Sequence, residues 1–124
     1  MATDQAIESL YATGYWLHSL GRHRDAATVF RAMATACPRD ERAWLALGAC
    51  HESSGHVDIA LEMYGFGRAV ARPSPRCEIA RSRALRIMGR DDEADAAIER
   101  AMELAEELGD EELRALACAE RGAS

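Results

Sequence analysis

The feature that most constrains this chain is a period of 34 residues carried through its length without slippage. Gly21, Gly55 and Gly89 fall at that interval, as do Ala26, Ala60 and Ala94. Phe30, Tyr64 and Ile98 follow, then Met33, Gly67 and Ala101, and upstream Gly14, Gly48 and Ser82. A fixed interval of this length marks stacked supersecondary units, each too small to bury its own apolar face. An ordinary helical bundle has no reason to hold register at so many positions. Stacks of this kind present extended surfaces to other chains, which turns the functional question from catalysis toward binding.

Each unit reads as a helix hairpin. In the second, Asp40 is the N-cap and Glu41 suits the helix dipole. Trp44, Leu47, Gly48 and His51 recur at helical spacing, and Gly55 closes the helix as a left-handed cap. Asp58 is expected to open the next helix, whose apolar face is Ile59, Ala60, Met63, Tyr64 and Gly67. Gly48 opposite Ala60, and Gly14 opposite Ala26 with Phe30 between helices, predict close crossings. Ser74 with Pro75 opens the third unit. That unit is the least regular, because Glu78 and Arg81 stand where Trp44 and Leu47 stood. The expected fold is all-α: three tandem repeats over about 7–40, 41–74 and 75–108, stacked as a right-handed superhelix. A capping helix over about 110–121 completes a single domain spanning 1–124.

Composition agrees. Nearly half of the 124 residues are apolar, and abundant Ala, Leu, Glu and Arg favour helix. No apolar run suffices for a bilayer, and Met1 to Gln5 lack a secretory signal, which predicts a cytoplasmic protein. Cys37, Cys50, Cys77 and Cys118 show no CxxC spacing and read as small apolar residues in a reducing compartment, with no metal site. The net charge of -6, with Arg as the sole basic type beside histidine, argues against nucleic acid. No glycine-rich phosphate loop and no paired nucleophile and base emerge, so neither an enzyme nor a cofactor is expected.

Within this frame, Leu10-Tyr11, Gly14-Tyr15, Gly21-Arg22, Asp25-Ala26, Val29-Phe30, Leu47-Gly48-Ala49-Cys50 and Tyr64 to Gly67 resemble one family. The pattern is similar to the tetratricopeptide-repeat chaperones of type III secretion translocators, the class II or SycD/LcrH-like group. The resemblance runs over about residues 10–108. It implies a small cytoplasmic protein that holds a short extended segment of a secreted translocator in a concave groove, keeping it soluble before export. It also implies that Tyr11 and Tyr15 are groove aromatics; His18 departs from the family, which places another aromatic there. Family members carry a longer amino-terminal extension used for self-association, whereas this sequence starts near the first repeat, so their dimer mode is not carried over.

Counting from the structural glycines, the inward positions of the first helices are Tyr11, Tyr15 and His18, then Arg42, Leu45, Ala49 and Glu52, then Arg76, Ile79, Arg83 and Arg86. Aromatic side chains give way to aliphatic ones and then to guanidinium groups. Such a groove suits an extended peptide with apolar anchors and a carboxylate. Packing of Tyr11 on its neighbouring helix, and neutralisation of nearby acids by Arg83 and Arg86, stay open beside this reading. His51, set toward Met63 and Tyr64, reads as a core histidine. Trp16 lies on the face that a preceding repeat would cover. It is expected either to mediate self-association as a homodimer or to be buried by residues 1 to 6. The alternative function is a generic tetratricopeptide adaptor. The Lys, Asn and Arg clamp of tail-reading adaptors is missing, since Tyr11, Tyr15, Ala46 and Ala80 occupy those positions.

Overall fold

The structure, a computed structural model, describes residues 3–122. Seven helices follow one another: α1 (Asp4–Ser19), α2 (His23–Ala36), α3 (Glu41–Ser53), α4 (Val57–Val70), α5 (Pro75–Ile87), α6 (Asp91–Leu108) and α7 (Glu111–Gly122). No strand occurs among the described residues.

Two kinds of helix start alternate along the chain. The odd-numbered helices are capped by side chains: Thr3 Oγ1 accepts from Ala6 N, Asp40 Oδ1 from Arg42 N, Ser74 Oγ from Cys77 N and Asp110 Oδ1 from Leu113 N. Helices α2, α4 and α6 have no such cap. They begin directly after a tight turn in which Gly21, Gly55 and Gly89 adopt φ of 78°, 81° and 76°. In each turn the next N–H reaches back to the helix: Arg22 N to Leu17 O, His56 N to His51 O, Arg90 N to Leu85 O. This is the Schellman closure, and it needs a residue free to take positive φ. Because the turn is that short, α4 starts at Val57, with His56 in the cap position, one residue before the expected Asp58.

The crossings differ in detail from the small-on-small expectation. The space left by each glycine is filled by a ring from the partner helix. A Cβ on Gly14 would lie 2.5 Å from Phe30 Cε1, and one on Gly48 would overlap the Tyr64 ring. Phe30 and Tyr64 are buried in these slots, while Ala26 and Ala60 pack fully buried beside them. In the third hairpin Ser82 and Ile98 take the same two positions, both buried.

Every helix packs on the next, and in addition α1 touches α3, α3 touches α5 and α5 touches α7. Among the described residues the even-numbered helices make no such contacts with one another. The odd row is therefore the inner wall of a curved stack and the even row its splayed outer wall. Helix α7 continues the inner row, burying Leu113 and Ala117 against Ile98, Ala101 and Ala105. All four cysteines are free. Burial pushes the Cys50 and Cys77 thiols up to about 11, as for packing residues rather than reactive ones.

Candidate functional site

Helices α1, α3 and α5 enclose a cavity of about 500 Å³ on the inner wall. Its amino-terminal side is aromatic. Tyr11 and Tyr15, one helical turn apart, pack at 5.6 Å between ring centroids, and Tyr11 also leans on Phe30 at 6.2 Å. Tyr11 is half-buried, whereas Tyr15 is 57% exposed and free to meet a ligand. Leu45, Ala46 and Ala49 line the cavity from α3, the two alanines supplying room rather than contact.

The rim is charged and largely self-paired. Arg42 lies 4.6 Å from the Tyr11 ring centroid, in cation–π distance. Its guanidinium donates to Glu8 at 2.7 and 3.1 Å and to Asp40 at 2.7 and 3.0 Å. These bonds hold the Glu8 and Asp40 carboxyls below the usual carboxylate range. Burial raises the Tyr11 phenol, which stays neutral. Two acids thus lock Arg42 as a flat platform beside Tyr11. Arg76 is held more loosely, 3.4 Å from Glu41, whose other oxygen accepts from Ser74 Oγ at 2.7 Å. Arg76 is therefore the guanidinium at this rim with donors to spare.

Six of the expected groove residues meet here: Tyr11, Tyr15, Arg42, Leu45, Ala49 and Arg76. Five others do not. His18 turns toward the hairpin end, its Nδ1 2.9 Å from His23 Nδ1 and 3.7 Å from Cys50 Sγ. Burial and the neighbouring His23 lower its pKa, so it is neutral near pH 7. Ile79 is only 2% exposed, sealed beneath α7 with Leu113 and Ala117, and lines no open groove. Arg83 is tied to Glu120 of α7 at 2.5 Å. Glu52 and Arg86 are engaged as well, by the Tyr64 hydroxyl and by Asp95. The carboxy-terminal third of the inner wall is thus occupied by the chain's own last helix.

Glu41 and Ala46 belong to the cavity but were missing from the sequence-derived set. The signal was present: Glu41 leads Leu45 and Ala49 by one and two helical turns, and Ala46 follows Arg42 by one. His51 is not a core residue. It lines a shallow cavity with His23, Arg24 and His56 at the hairpin ends. Trp16 is 59% exposed, so residues 3–6 do not cover it, and residues 1 and 2 lie outside the described region. Among the described residues no three His, Cys, Asp or Glu side chains gather as a metal site, and no helix is long and apolar enough to cross a membrane.

Comparison with known proteins gives the same picture. The tetratricopeptide repeat family matches residues 7–50. Low calcium response locus protein H of Yersinia pestis is 29% identical over 102 residues, which are 82% of this chain. The chain spans 61% of that relative's length. The Yersinia enterocolitica type III secretion translocator chaperone SycD superposes with a TM-score of 0.87 at 27% identity, covering 98% of this chain and 92% of SycD. PcrH from Pseudomonas aeruginosa superposes with a TM-score of 0.85 at 30% identity, covering 99% and 94%. PcrH has also been solved in complex with the chaperone binding region of PopB, and SycD with a peptide of the translocator YopD. With 30% identity to PcrH and one fold shared over nearly the whole of both chains, this chain belongs to the tetratricopeptide-repeat class II chaperones of type III secretion translocators, the SycD/LcrH-like family.

Proposed function

We propose that this chain is a cytoplasmic, non-catalytic chaperone that holds an extended segment of a secreted translocator protein and keeps it soluble and competent for export. The observation that carries the reading is the cavity between α1, α3 and α5, with exposed Tyr15 on one side and Leu45 and Ala49 opposite. An extended segment entering it would bury an apolar side chain between Tyr15 and Leu45. Aromatic walls contribute contact area at low entropy cost, and the paired Arg42 is already ordered. The PcrH and SycD complexes support the reading by analogy of fold and family. The inner-wall set is Tyr11, Tyr15, Arg42, Leu45, Ala49 and Arg76, within a single domain of three repeats at about 7–40, 41–74 and 75–108. Trp16, exposed on the free face of α1, is assigned to self-association.

Co-expression with candidate translocators tests this: a soluble complex is expected to copurify. Tyr15→Ala and Leu45→Glu should each weaken it by about tenfold or more, as truncated interface anchors do, with unchanged helicity. Unchanged binding in both removes the groove assignment. For self-association, a monomeric mass in dilute solution that Trp16→Ala does not alter removes the role of Trp16.

A further inference from the structure

The splayed outer wall opens a second cavity, of about 470 Å³, between α4 and α6, with α5 as its floor. Arg68 lines it from α4, Arg72 from the connection between α4 and α5, Arg100 and Leu104 from α6, and Glu78 from α5. Glu78 is buried, with 2% exposure, yet no carboxylate is needed there for packing: the equivalent position one repeat earlier is Trp44. Its Oε1 lies 2.6 Å from Arg68 Nε in an ion pair, and this oxygen has no hydrogen-bond partner among the described residues. Arg81 approaches the other oxygen at 3.8 Å. Arg100 pairs at the surface with Glu103, and Arg72, whose Nε donates to Ala69 O at 3.0 Å, makes no ion pair among the described residues.

On the lining itself Arg68, Arg72 and Arg100 face Glu78 and Glu103, an excess of one positive charge in a chain of net charge -6, while Arg81 beside them feels both Glu78 and Glu93. Guanidinium groups held around one polar cavity repel one another, and an anion seated among them relieves that repulsion. Glu78 relieves part of that repulsion from below and fixes Arg68. Gly65, with nothing within 4 Å of a built Cβ, leaves the mouth open. Side chains from two separate helices can address several oxygens of a tetrahedral group, where a planar carboxylate is satisfied by one bidentate arginine.

We infer that the cavity between α4 and α6 is a phosphate-binding site, with Arg68, Arg72 and Arg100 as its donors and Glu78 as the buried group that positions Arg68. The site lies on the outer wall, away from the peptide cavity, and does not depend on the function proposed for that cavity. The phosphate is either the free ion or a monoester on a larger molecule, since the mouth is open to both.

Calorimetric titration of the full chain with inorganic phosphate, glycerol 3-phosphate and malonate, at matched ionic strength in chloride buffer, tests the assignment. Phosphate is expected to bind saturably and more tightly than malonate. Arg72→Ala and Arg100→Ala, both at exposed positions where folding is undisturbed, should each weaken it by about tenfold. Arg114→Ala, an exposed arginine on α7, should leave it unchanged. Equal affinity for glycerol 3-phosphate assigns a site open to esterified phosphate, and binding of inorganic phosphate alone assigns the free ion. No heat of binding for either phosphate, no preference over malonate, or wild-type affinity in both Arg72→Ala and Arg100→Ala would overturn the inference.

Discussion

Between α2 and α4 the outer wall parts over Trp44; one repeat later α4 and α6 part over Glu78. The two clefts are copies of the same geometry. The first is lined by Ala34, Pro38, Trp44, Leu47 and Met63 together with Arg31 and Thr35, and Phe66 packs on Trp44 at 5.6 Å. At the corresponding positions the second carries Arg68, Arg72, Glu78, Arg81, Ala97 and Arg100. Backbone and helix spacing persist while the filling changes from hydrocarbon to ion pairs. The reason lies in where the repeat stores its specificity. Gly48 with Tyr64, and Ser82 with Ile98, fix the crossing within each hairpin, and the clefts lie outside those crossings. Trp44 contributes burial and a bond from its Nε1 to Pro38 O at 2.7 Å. Glu78 contributes charge balance, a term that buried pairs return only in part.

Four measurements sharpen or break this contrast. Trp44→Ala should cost about 3 kcal/mol in urea denaturation, the low end for an aromatic truncation because Trp44 is only half-buried. Glu78→Ala should cost less, about 2 kcal/mol, because Arg68 and Arg81 are partly exposed and can rehydrate once unpaired. If the charged cleft proved the more sensitive of the two, the ranking would be reversed and Glu78 would be a principal fastener of the third hairpin. Replacing Glu78→Leu together with Arg81→Leu should fall within about 1 kcal/mol of wild type or above it, since hydrocarbon then stands where Trp44 and Leu47 stand in the first cleft and Arg68 is exposed enough to hydrate. Loss of cooperative unfolding in that double variant would show that the ion pairs specify the α4–α6 spacing.

The smallest effect concerns pH, and its sign separates the cleft from the inner wall. Burial raises the Glu78 pKa above its usual 4.5, against the pull of Arg68, Arg81 and Arg100. Its contribution is present below that value and is lost as pH rises through the raised one. Asp40 on the inner wall is lowered from 3.8 by its bonds to Arg42, so its contribution is present above that value and lost as pH falls. Stability profiles of Glu78→Gln and Asp40→Asn against wild type should therefore diverge in opposite directions. Parallel profiles would contradict the assignment of burial to one carboxylate and pairing to the other.

The hairpins were legible from the glycine turns, because Gly21, Gly55 and Gly89 must take positive φ wherever this closure occurs. Ser74 with Pro75 was legible as a helix start for a similarly local reason. The aromatic half of the inner-wall cavity was legible too, since Tyr11 and Tyr15 share one face of α1. Legibility failed where a side chain chose a partner far away in sequence. Arg83 had several acids within reach on paper and is taken by Glu120, 37 residues on. Ile79 faced inward as its spacing required, but α7 came back over it. His18 kept its position on the helix and swung to His23 and Cys50 rather than to the groove.

The sequence by itself determined the unit: its length, its turns, its crossings and the row of helices that faces inward. These follow from local sterics and periodicity, which act within a few residues and repeat whenever the pattern repeats. Only the tertiary structure decided how far the open groove extends, which of its arginines keep donors to spare, and that the outer wall opens one largely apolar cleft and one charged cleft. Those outcomes depend on which charges and apolar surfaces meet across helices, and a 34-residue period places such partners side by side without saying which will pair.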